Sequence, residues 1–227
     1  MPPKNSLKTY VDDSFYHIYN RGVATLPIFE DRDDYVSFLA DLKFYLTPVR
    51  ENFKGVSLKV TQEDKTYTYF PSQQPKNHTG KIELIAYCLI PNHFHRFIKQ
   101  TDKMTMSNFM RSLATKYSMY FNKKYNRVGP VFQGTYKAVP INNELQFLYL
   151  TKYIHRNPLA LVHNNPSNLY TYPYSSYPNY LKLIHQSWVH CDDVLYYFSK
   201  FDPKNSYQRF VEESESEIDG TTILTLE

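Results

Sequence analysis

One stretch near the middle of the chain constrains the fold more than any other. Residues 81–90 (KIELIAYCLI) are rich in apolar and β-branched side chains, and residues 93–99 (HFHRFIK) resume an extended pattern after the turn signal Pro91-Asn92. Two extended runs joined by so short a turn predict a β-hairpin. We expect this hairpin at the centre of a sheet.

The flanking sequence predicts further strands and helices. Apolar residues that recur every three to four positions mark amphipathic helices, and β-branched or aromatic runs bounded by Gly and Pro mark strands. The predicted strands cover residues 15–21, 56–60 and 131–141, and the predicted helices cover residues 31–47, 107–125 and 143–157. The order strand, helix, three strands, helix, strand, helix favours an α+β fold, a mostly antiparallel sheet with helices packed on it.

Length and composition favour one main domain. The chain has 227 residues, 42% of them hydrophobic, which is enough for one good core and too few for two full-sized domains. We assign residues 1–185 to this domain and residues 186–227 to a C-terminal helical extension with an acidic tail. Within the domain, the polar residues 61–80 predict an inserted loop or hairpin, which is either a tolerated surface loop or a DNA-binding flap.

The segment that follows the third helix is harder to interpret from pattern alone. Residues 164–180 (NNPSNLYTYPYSSYPNY) have the composition of a loop, and residues 188–197 are compatible with one more helix. The acidic tail after Val211 is expected to fray.

Several features indicate an intracellular protein. No stretch is apolar for long enough to span a bilayer, so we expect no membrane partner. The two cysteines, Cys88 and Cys191, form neither a CxxC pair nor a secreted disulfide framework. We therefore expect a cytoplasmic location.

The charge is distributed unevenly. The net charge is +4, and no acidic residue occurs between Asp102 and Glu144. Tyr117, Tyr120, Tyr125 and Tyr136 lie among the basic residues of that segment. Phosphate attraction and base stacking require this mixture, although a solvated basic helix with its aromatic side chains in the core has the same pattern.

Two histidines in the second strand of the predicted hairpin are candidate metal ligands. His93 and His95 are two residues apart, so their side chains leave the same face of the strand, about 6 to 7 Å apart at the backbone. Their rings can converge on one ion, although HxH pairs are also common without a metal. Imidazole favours Zn, Mn, Ni or Cu over Mg unless oxygen ligands complete the shell.

Tyr153 and Asn157 are four residues apart at the end of the last predicted helix, before Pro158. That spacing puts both on one helix face, roughly 6 Å apart along the axis. An amide oxygen and a phenol so placed can serve a metal-bound phosphate. The alternative is that Tyr153 covers the core and that Asn157 ends the helix.

Five motifs, in order, resemble the REP-associated tyrosine transposases, a family within the single-tyrosine HUH transposases. These motifs are FYHIYNRG (15–22), AYCLIPNHFH (86–95), GPVFQGTYKA (129–138), KYIHRNPLA (152–160) and YPYSSY (172–177). The resemblance covers about residues 14–180, apart from the polar insertion. It implies the ferredoxin-like antiparallel sheet of the HUH endonuclease fold.

The resemblance also implies roles for individual residues. His93, His95 and Asn157 correspond to the metal ligands, and Tyr153 corresponds to the nucleophile. The implied activity is single-strand DNA cleavage and joining through a 5′-phosphotyrosine intermediate, with Mg²⁺ or Mn²⁺ as cofactor and hairpin-bearing single-stranded DNA as partner. A monomer and a homodimer both remain open. The alternatives are a DNA-binding module or repressor without cleavage activity, and a metal-dependent hydrolase that uses water.

Other residues are candidates for contacts to DNA or for a supporting role in catalysis. Arg156 lies within one turn of Tyr153 and could neutralise phosphate. His155 is a candidate for proton transfer, although its helical position turns it away, and Ser175 and Ser176 could position phosphate or cap a helix. The DNA-binding candidates are Arg21, Arg111, Lys116, Lys123, Lys124, Arg127 and Arg156.

One position departs from the family pattern. The residue after the second metal histidine is usually apolar, and here it is Arg96. As the neighbour of His95 on a strand, Arg96 should point to the opposite face of the sheet. Either that face is partly open, or Arg96 contacts DNA.

Overall fold

A four-stranded antiparallel sheet organises the molecule. The computed structural model describes residues 10–48, 58–62, 65–69 and 77–213. The sheet has the order β4-β5-β1-β6. Its strands are β1 (Ser14–Arg21), β4 (Ile82–Ile90), β5 (His93–Gln100) and β6 (Lys137–Ile141). The predicted α+β class and antiparallel sheet are confirmed.

The central strands explain where the polar side chains go. β1 and β5 pair antiparallel over their full lengths, with Tyr19 opposite His95 and Arg21 opposite His93. Successive side chains alternate between the faces of a strand. His93 and His95 therefore share one face of the sheet, and Phe94 and Arg96 share the other.

Each face of the sheet is covered by helices. One face packs against α1 (Arg32–Leu46) and α2 (Thr105–Lys124), around a core that contains Ile18, Phe38 and Leu113. The other face packs against α3 (Glu144–Arg156) and the C-terminal segment. With apolar layers on both sides, the sheet is fixed rigidly enough to position side chains at its edges.

Local signals start the helices where the sequence predicts. Asp31 caps α1 by accepting hydrogen bonds from the backbone N–H groups of Asp33 and Asp34, and Asp34 completes a capping box. Asn143 caps α3 by accepting from the backbone N–H of Gln146. Pro48 and Pro158 lie just beyond the ends of α1 and α3, where a helix cannot readily continue.

Two predictions about the sheet are corrected. The β4–β5 hairpin is not wholly central, because β4 lies at the edge and only β5 is flanked on both sides. The strand predicted over 131–141 is shorter, because residues 131–136 form a loop, which contacts the end of β1 through the Gly22–Phe132 bridge and a hydrogen bond from the Gln133 backbone N–H to the Arg21 carbonyl. Gly134 has a left-handed backbone (φ +69°), which interrupts an extended strand there.

The polar insertion contains a hairpin. β2 (Leu58–Gln62) pairs antiparallel with β3 (Lys65–Tyr69), separate from the main sheet. This hairpin overlaps the first part of the segment 61–80, for which the sequence predicted an inserted loop or hairpin. The rest of the insertion, 63–64 and 70–76, lies outside the described residues, as does the tail after residue 213.

The C-terminal segment is more ordered than its composition predicted. Residues 166–171 form a 3-10 helix, and short helical turns follow as α4 (Tyr177–Tyr180), α5 (Asp192–Leu195) and α6 (Tyr207–Glu212). The helix predicted over 188–197 is thus reduced to one turn. Tyr177, Val194 and Val211 are buried against α3, so this segment forms the second core together with that helix.

Candidate active site

The two histidines of β5 face the C-terminal end of α3. The ring centroids of His93 and His95 are 5.0 Å apart and the rings are nearly perpendicular, at 88°. His95 is buried, and His93 is half-buried. One imidazole is therefore held inside the protein while the other borders the surface.

Helix α3 brings Tyr153 to the same place. The Tyr153 ring centroid is 5.2 Å from that of His95, and the rings are again nearly perpendicular. Tyr153 is partly buried, on the face of α3 that packs against the second core. A phenol from one segment and two imidazoles from another thus meet, although about sixty residues separate them in the chain.

Asn157 completes the group. It follows the last residue of α3 with a helical backbone (φ −54°, ψ −36°), so it lies one turn beyond Tyr153. Its Oδ1 atom is buried without a hydrogen-bond partner of acceptable geometry. A buried carboxamide oxygen without a partner is costly, and such orphans are expected where an ion or ligand binds.

Neighbouring side chains orient both histidine rings. His93 Nδ1 lies 2.8 Å from Asn92 Oδ1, and since that oxygen can only accept, Nδ1 is the donor. His95 Nδ1 lies 2.9 Å from His17 Nε2. Because Nδ1 is used in each ring, Nε2 is the nitrogen left for a metal, an arrangement typical of metal-binding histidines.

The electrostatics of the site favour neutral imidazoles. Burial lowers the pKa of His93, the Asn157 amide opposes that shift, and the positive charge of Arg21 adds to it. Burial, with His17 and His93 nearby, holds the pKa of His95 well below its usual range. Neutral imidazole is the form that binds metals.

The residues fit a divalent metal ion. Two imidazoles and an orphaned amide oxygen form a mixed nitrogen and oxygen donor set, which suits Mn²⁺ and, with phosphate oxygens added, Mg²⁺. Within the described part of the chain, no group of three or more His, Cys, Asp and Glu side chains is arranged to hold a metal. Asn157 is therefore the candidate for a third metal ligand from the protein.

Sequence analysis missed His17 and Tyr19. His17 is fully buried; its ring stacks on His95 at 5.1 Å and meets the Tyr153 ring at 5.8 Å. The Tyr19 ring lies 5.7 Å from that of His95 and 4.9 Å from that of His17, so the three rings contact one another. Their alternate spacing within FYHIYNR was visible in the sequence, but the pairing of β1 with β5 that brings them to His95 was not.

Arg21 is the predicted DNA-binding residue nearest to this group. It lies opposite His93 in the β1–β5 pairing, and its Nε donates to Gln133 Oε1 at 2.5 Å. Its side chain is exposed. A fixed, exposed guanidinium beside the histidines can contact a phosphate.

The basic residues of α2 divide into two groups. Lys116 pairs with Asp41 at 2.6 Å, and Lys124 pairs with Asp31 and Asp34 at 2.6 and 2.8 Å. The acids missing from this stretch of sequence are thus supplied by α1. Arg111 and Lys123 are exposed, and Arg127 lies over the Phe121 ring at 5.4 Å.

Three residues near α3 contribute to structure. Arg156 points away from the site and donates to the main-chain carbonyls of Val211, Glu212 and Glu213, at the end of α6. His155 is buried between Tyr207 Oη and Ser176 Oγ, 2.7 Å from each. Ser176 also binds the backbone of Tyr87, so His155 and Ser176 attach the C-terminal segment to the sheet.

Arg96 lies on the opposite face of the sheet, as its position predicted. It is fully buried, with its guanidinium carbon 4.1 Å from the centre of the Phe94 ring. Burial lowers the pKa of Arg96 to about 9, so the group remains charged at neutral pH. Of the two explanations offered by the sequence, the structure supports a partly open face, because Arg96 lines a cavity there.

Comparison with known proteins finds a family that part of the chain resembles. Residues 59–157, which include both histidines of β5, Tyr153 and Asn157, match the family model described as "Transposase IS200 like". Residues 59–157 are therefore similar to IS200-like transposases, and the resemblance to this group of transposases is confirmed.

The other comparisons add one similar structure. A solved REP-associated tyrosine transposase bound to a REP hairpin is similar at 11% sequence identity, over 81% of this chain and 95% of that one, with a TM-score of 0.46. No curated protein sequence matches the chain. Over the described residues, no helix combines the length and apolar character needed to cross a membrane.

Proposed function

We propose that this chain is a metal-dependent transposase of the HUH type that cuts and rejoins single-stranded DNA through Tyr153. The observation that supports this most strongly is that the His93 and Tyr153 rings each lie about 5 Å from the His95 ring, next to the buried Asn157 oxygen. In this proposal His93, His95 and Asn157 hold the metal, Mg²⁺ or Mn²⁺. When bound, such a cation polarises a non-bridging phosphate oxygen and stabilises the negative charge that grows in the transition state.

The protein's own groups carry the rest of the reaction. The Tyr153 oxygen attacks the scissile phosphorus, the bond from phosphorus to O3′ breaks, and a 5′-phosphotyrosine link forms. The phenol loses a proton during the attack, and the departing O3′ takes one up, so the protons balance. Attack on the phosphotyrosine by the 3′-OH of another strand then releases Tyr153 and joins the DNA.

The surroundings of Tyr153 support its role as nucleophile. Its ring packs against His95 and His17 rather than being enclosed by apolar side chains alone. Packing on two sides restricts the phenol to few orientations, which lowers the entropic cost of in-line attack. Arg21, exposed beside His93, is the residue we assign to the flanking phosphate.

The proposed substrate is single-stranded DNA with hairpins. An in-line attack needs a backbone that can bend into the site, and a rigid duplex resists this deformation. The hairpin preference rests on the resemblance of the sequence motifs to REP-associated transposases. We expect cleavage of hairpin-flanked single strands and little or no cleavage of blunt duplex of the same sequence.

The test is trapping of a covalent protein–DNA adduct. The full chain is incubated with labelled, hairpin-bearing single strands and Mn²⁺ or Mg²⁺, and the products are separated by denaturing electrophoresis. We expect an adduct with the wild-type protein that disappears with a chelator and in Tyr153→Phe. Tyr149→Phe is the matched control, since Tyr149 lies four residues earlier on the same helix and packs against Phe210; it should keep the adduct.

Two outcomes would contradict the proposal. An adduct that persists in Tyr153→Phe would remove Tyr153 as the nucleophile. Metal-dependent cleavage that leaves a free 5′-phosphate and no attached protein would indicate a hydrolase that uses water instead.

A further inference from the structure

A cavity lies on the face of the sheet opposite the candidate active site. Its volume is about 550 Å³, and it is enclosed between β1, β5, α2 and the loop that precedes β6. Phe94 and Phe38 contribute apolar walls, whereas Arg111, Thr115 and Thr135 lie at an exposed rim. The cavity is therefore reachable from solvent, and its volume is within the range of about 300 to 1,000 Å³ typical of small-molecule sites.

The most unusual feature of the cavity is Arg96. Its Nε, Nη1 and Nη2 atoms are all buried, and none has a hydrogen-bond partner. A guanidinium carries five N–H donors, and burying an unpaired charge is strongly unfavourable. The Phe94 and Phe38 rings, 4.1 and 5.6 Å from the guanidinium carbon, offset part of this cost. They accept none of the hydrogen bonds that the guanidinium can donate.

The protein does not supply the missing negative charge. The side chains that line the cavity include two arginines, Arg96 and Arg111, and among the described residues no Asp or Glu. By contrast, Lys116 and Lys124 of the overlying helix α2 are paired with Asp41 and Asp34. Arg96 is thus an exception next to a space large enough for a ligand.

The walls indicate what the ligand carries besides its charge. The aromatic rings of Phe38, Phe94 and Phe132 line the space. On α2, Ser107 and Thr115 add hydroxyl groups, and Arg111 adds a second guanidinium. Aromatic walls stack on flat rings, and a planar guanidinium binds phosphate through paired hydrogen bonds. A ligand with a phosphate and a flat heterocycle satisfies both requirements.

We propose that this cavity is a binding site for a nucleotide, whose phosphate pairs with Arg96 and whose base stacks among the phenylalanines. The phosphate could belong to a free mononucleotide or to the 5′-phosphorylated end of a DNA strand, because both present the same group. The site is separate from Tyr153 and the histidines, which face the other side of the sheet. The inference does not depend on the proposed cleavage activity.

Calorimetric titration of the full chain tests the proposal. The ligands are the four deoxynucleoside 5′-monophosphates, with deoxyadenosine and inorganic phosphate as partial ligands, and a chelator keeps the metal site empty. We expect saturable binding of at least one monophosphate, and binding at least about tenfold weaker for the nucleoside and for phosphate alone. The chelator makes the result independent of the transposase proposal, so either one can fail alone.

Substitution of Arg96 shows whether the binding uses this cavity. Arg96→Met keeps much of the side-chain length without the charge, and we expect it to weaken monophosphate binding at least about tenfold. Arg32→Met is the matched control, since Arg32 is exposed at the start of α1, away from the cavity; it should bind like the wild type. No saturable monophosphate binding, or equal binding by Arg96→Met, would overturn the proposal.

A folding control accompanies these variants. Removing an unpaired buried charge should leave the midpoint of thermal unfolding of the ligand-free protein unchanged or raised. If Arg96→Met does not fold, Thr115→Trp narrows the rim while keeping the charge, and it should weaken binding too; unchanged binding by that variant would count against the site.

A competition experiment separates the two sources of phosphate. A short single strand with a 5′-phosphate should displace the mononucleotide if strand ends bind here, and the same strand with a 5′-hydroxyl should not. If neither strand competes while the mononucleotide still requires Arg96, the free nucleotide is the ligand. Equal displacement by both strands would overturn the phosphate-directed mode of binding.

Discussion

His95 and Arg96 are neighbours on β5, and the sheet sends them to opposite faces with opposite results. His95 is hydrogen-bonded to His17, and its ring packs against the rings of His17 and Tyr19, which also contact each other. Arg96 is equally buried, but its three side-chain nitrogen atoms have no hydrogen-bond partner. The His95 imidazole is therefore held by contacts within the protein, whereas the Arg96 guanidinium lies beside a cavity without a hydrogen-bond acceptor.

The two faces therefore differ in how many contacts to the polar group the protein itself supplies. The histidine face has its protein contacts in place, so a ligand there meets oriented side chains and little reorganisation is needed. On the face that carries Arg96, the lack of a hydrogen-bond acceptor for the guanidinium is the observation that supports a ligand. Substitutions on either face can test this contrast, and we expect the largest effects on the face that carries the histidines.

The largest effect is expected from the histidines themselves. His93→Ala or His95→Ala should lower metal-dependent cleavage by at least about a hundredfold, the scale of losing a group that stabilises the transition state. Binding of the uncleaved single strand, measured by fluorescence anisotropy, should change far less, because phosphate contacts dominate affinity. Parallel loss of binding and cleavage would show that these histidines support the fold rather than the chemistry.

The next effect concerns His17. His17→Ala should weaken metal binding by about 10- to 100-fold, as is usual when a residue that orients a ligating histidine is removed. Calorimetry with Mn²⁺ measures this directly, and His185→Ala, the loss of an exposed imidazole, is the control. An unchanged metal affinity in His17→Ala would mean that the hydrogen bond to His95 has no role at the site.

Acid should destabilise the protein through His155. Burial lowers the pKa of His155 from 6.5 to about 3, so the unfolded chain takes up a proton at a higher pH than the folded one. The stabilisation is complete above pH 6.5 and is lost as the pH falls, by roughly 1.4 kcal/mol per pH unit until about pH 3. Urea unfolding between pH 7 and pH 4 should show a shallower pH dependence for His155→Gln than for the wild type; identical slopes would exclude His155 as the group responsible.

The smallest effect is expected for Lys123 and Lys124, two adjacent lysines of α2, the helix that packs on the same face of the sheet as Arg96. Lys124→Met breaks the ion pairs with Asp31 and the buried Asp34, so it should lower the midpoint of thermal unfolding. Lys123→Met removes an exposed charge and should leave that midpoint unchanged. If Lys123 contacts DNA, its loss should reduce the salt dependence of DNA binding by about one phosphate contact.

A reversed result for these lysines would contradict the division of α2 into structural and exposed cations. Equal unfolding midpoints for Lys123→Met and Lys124→Met would mean that the ion pairs between α1 and α2 contribute nothing measurable.

Much of the fold could be predicted from local chemistry. Asp31 and Asn143 begin their helices, and the alternation along 93–99 assigns His95 and Arg96 to opposite faces. Such signals act within a few residues, so a sequence displays them directly. The four-residue spacing of Tyr153 and Asn157 belongs to the same category.

What could not be predicted depends on contacts between distant segments. The role of His17 requires the register of β1 against β5, and the pairing of Lys124 with Asp31 spans 93 residues. The cavity beside Arg96 results from how α2 and the loop before β6 pack over the sheet. No local pattern encodes such distances, and the loop-like composition of 164–180 likewise concealed the hydrogen bonds that attach it to β4.

The most direct test of the central claim is mass spectrometry of the trapped adduct. The adduct is digested with protease and nuclease, and the modified residue is located by fragmentation. If Tyr153 is the nucleophile, the nucleotide is attached to the peptide from the end of α3, at Tyr153. Attachment at Tyr19, which also stacks on His95, or at any other residue would contradict the account.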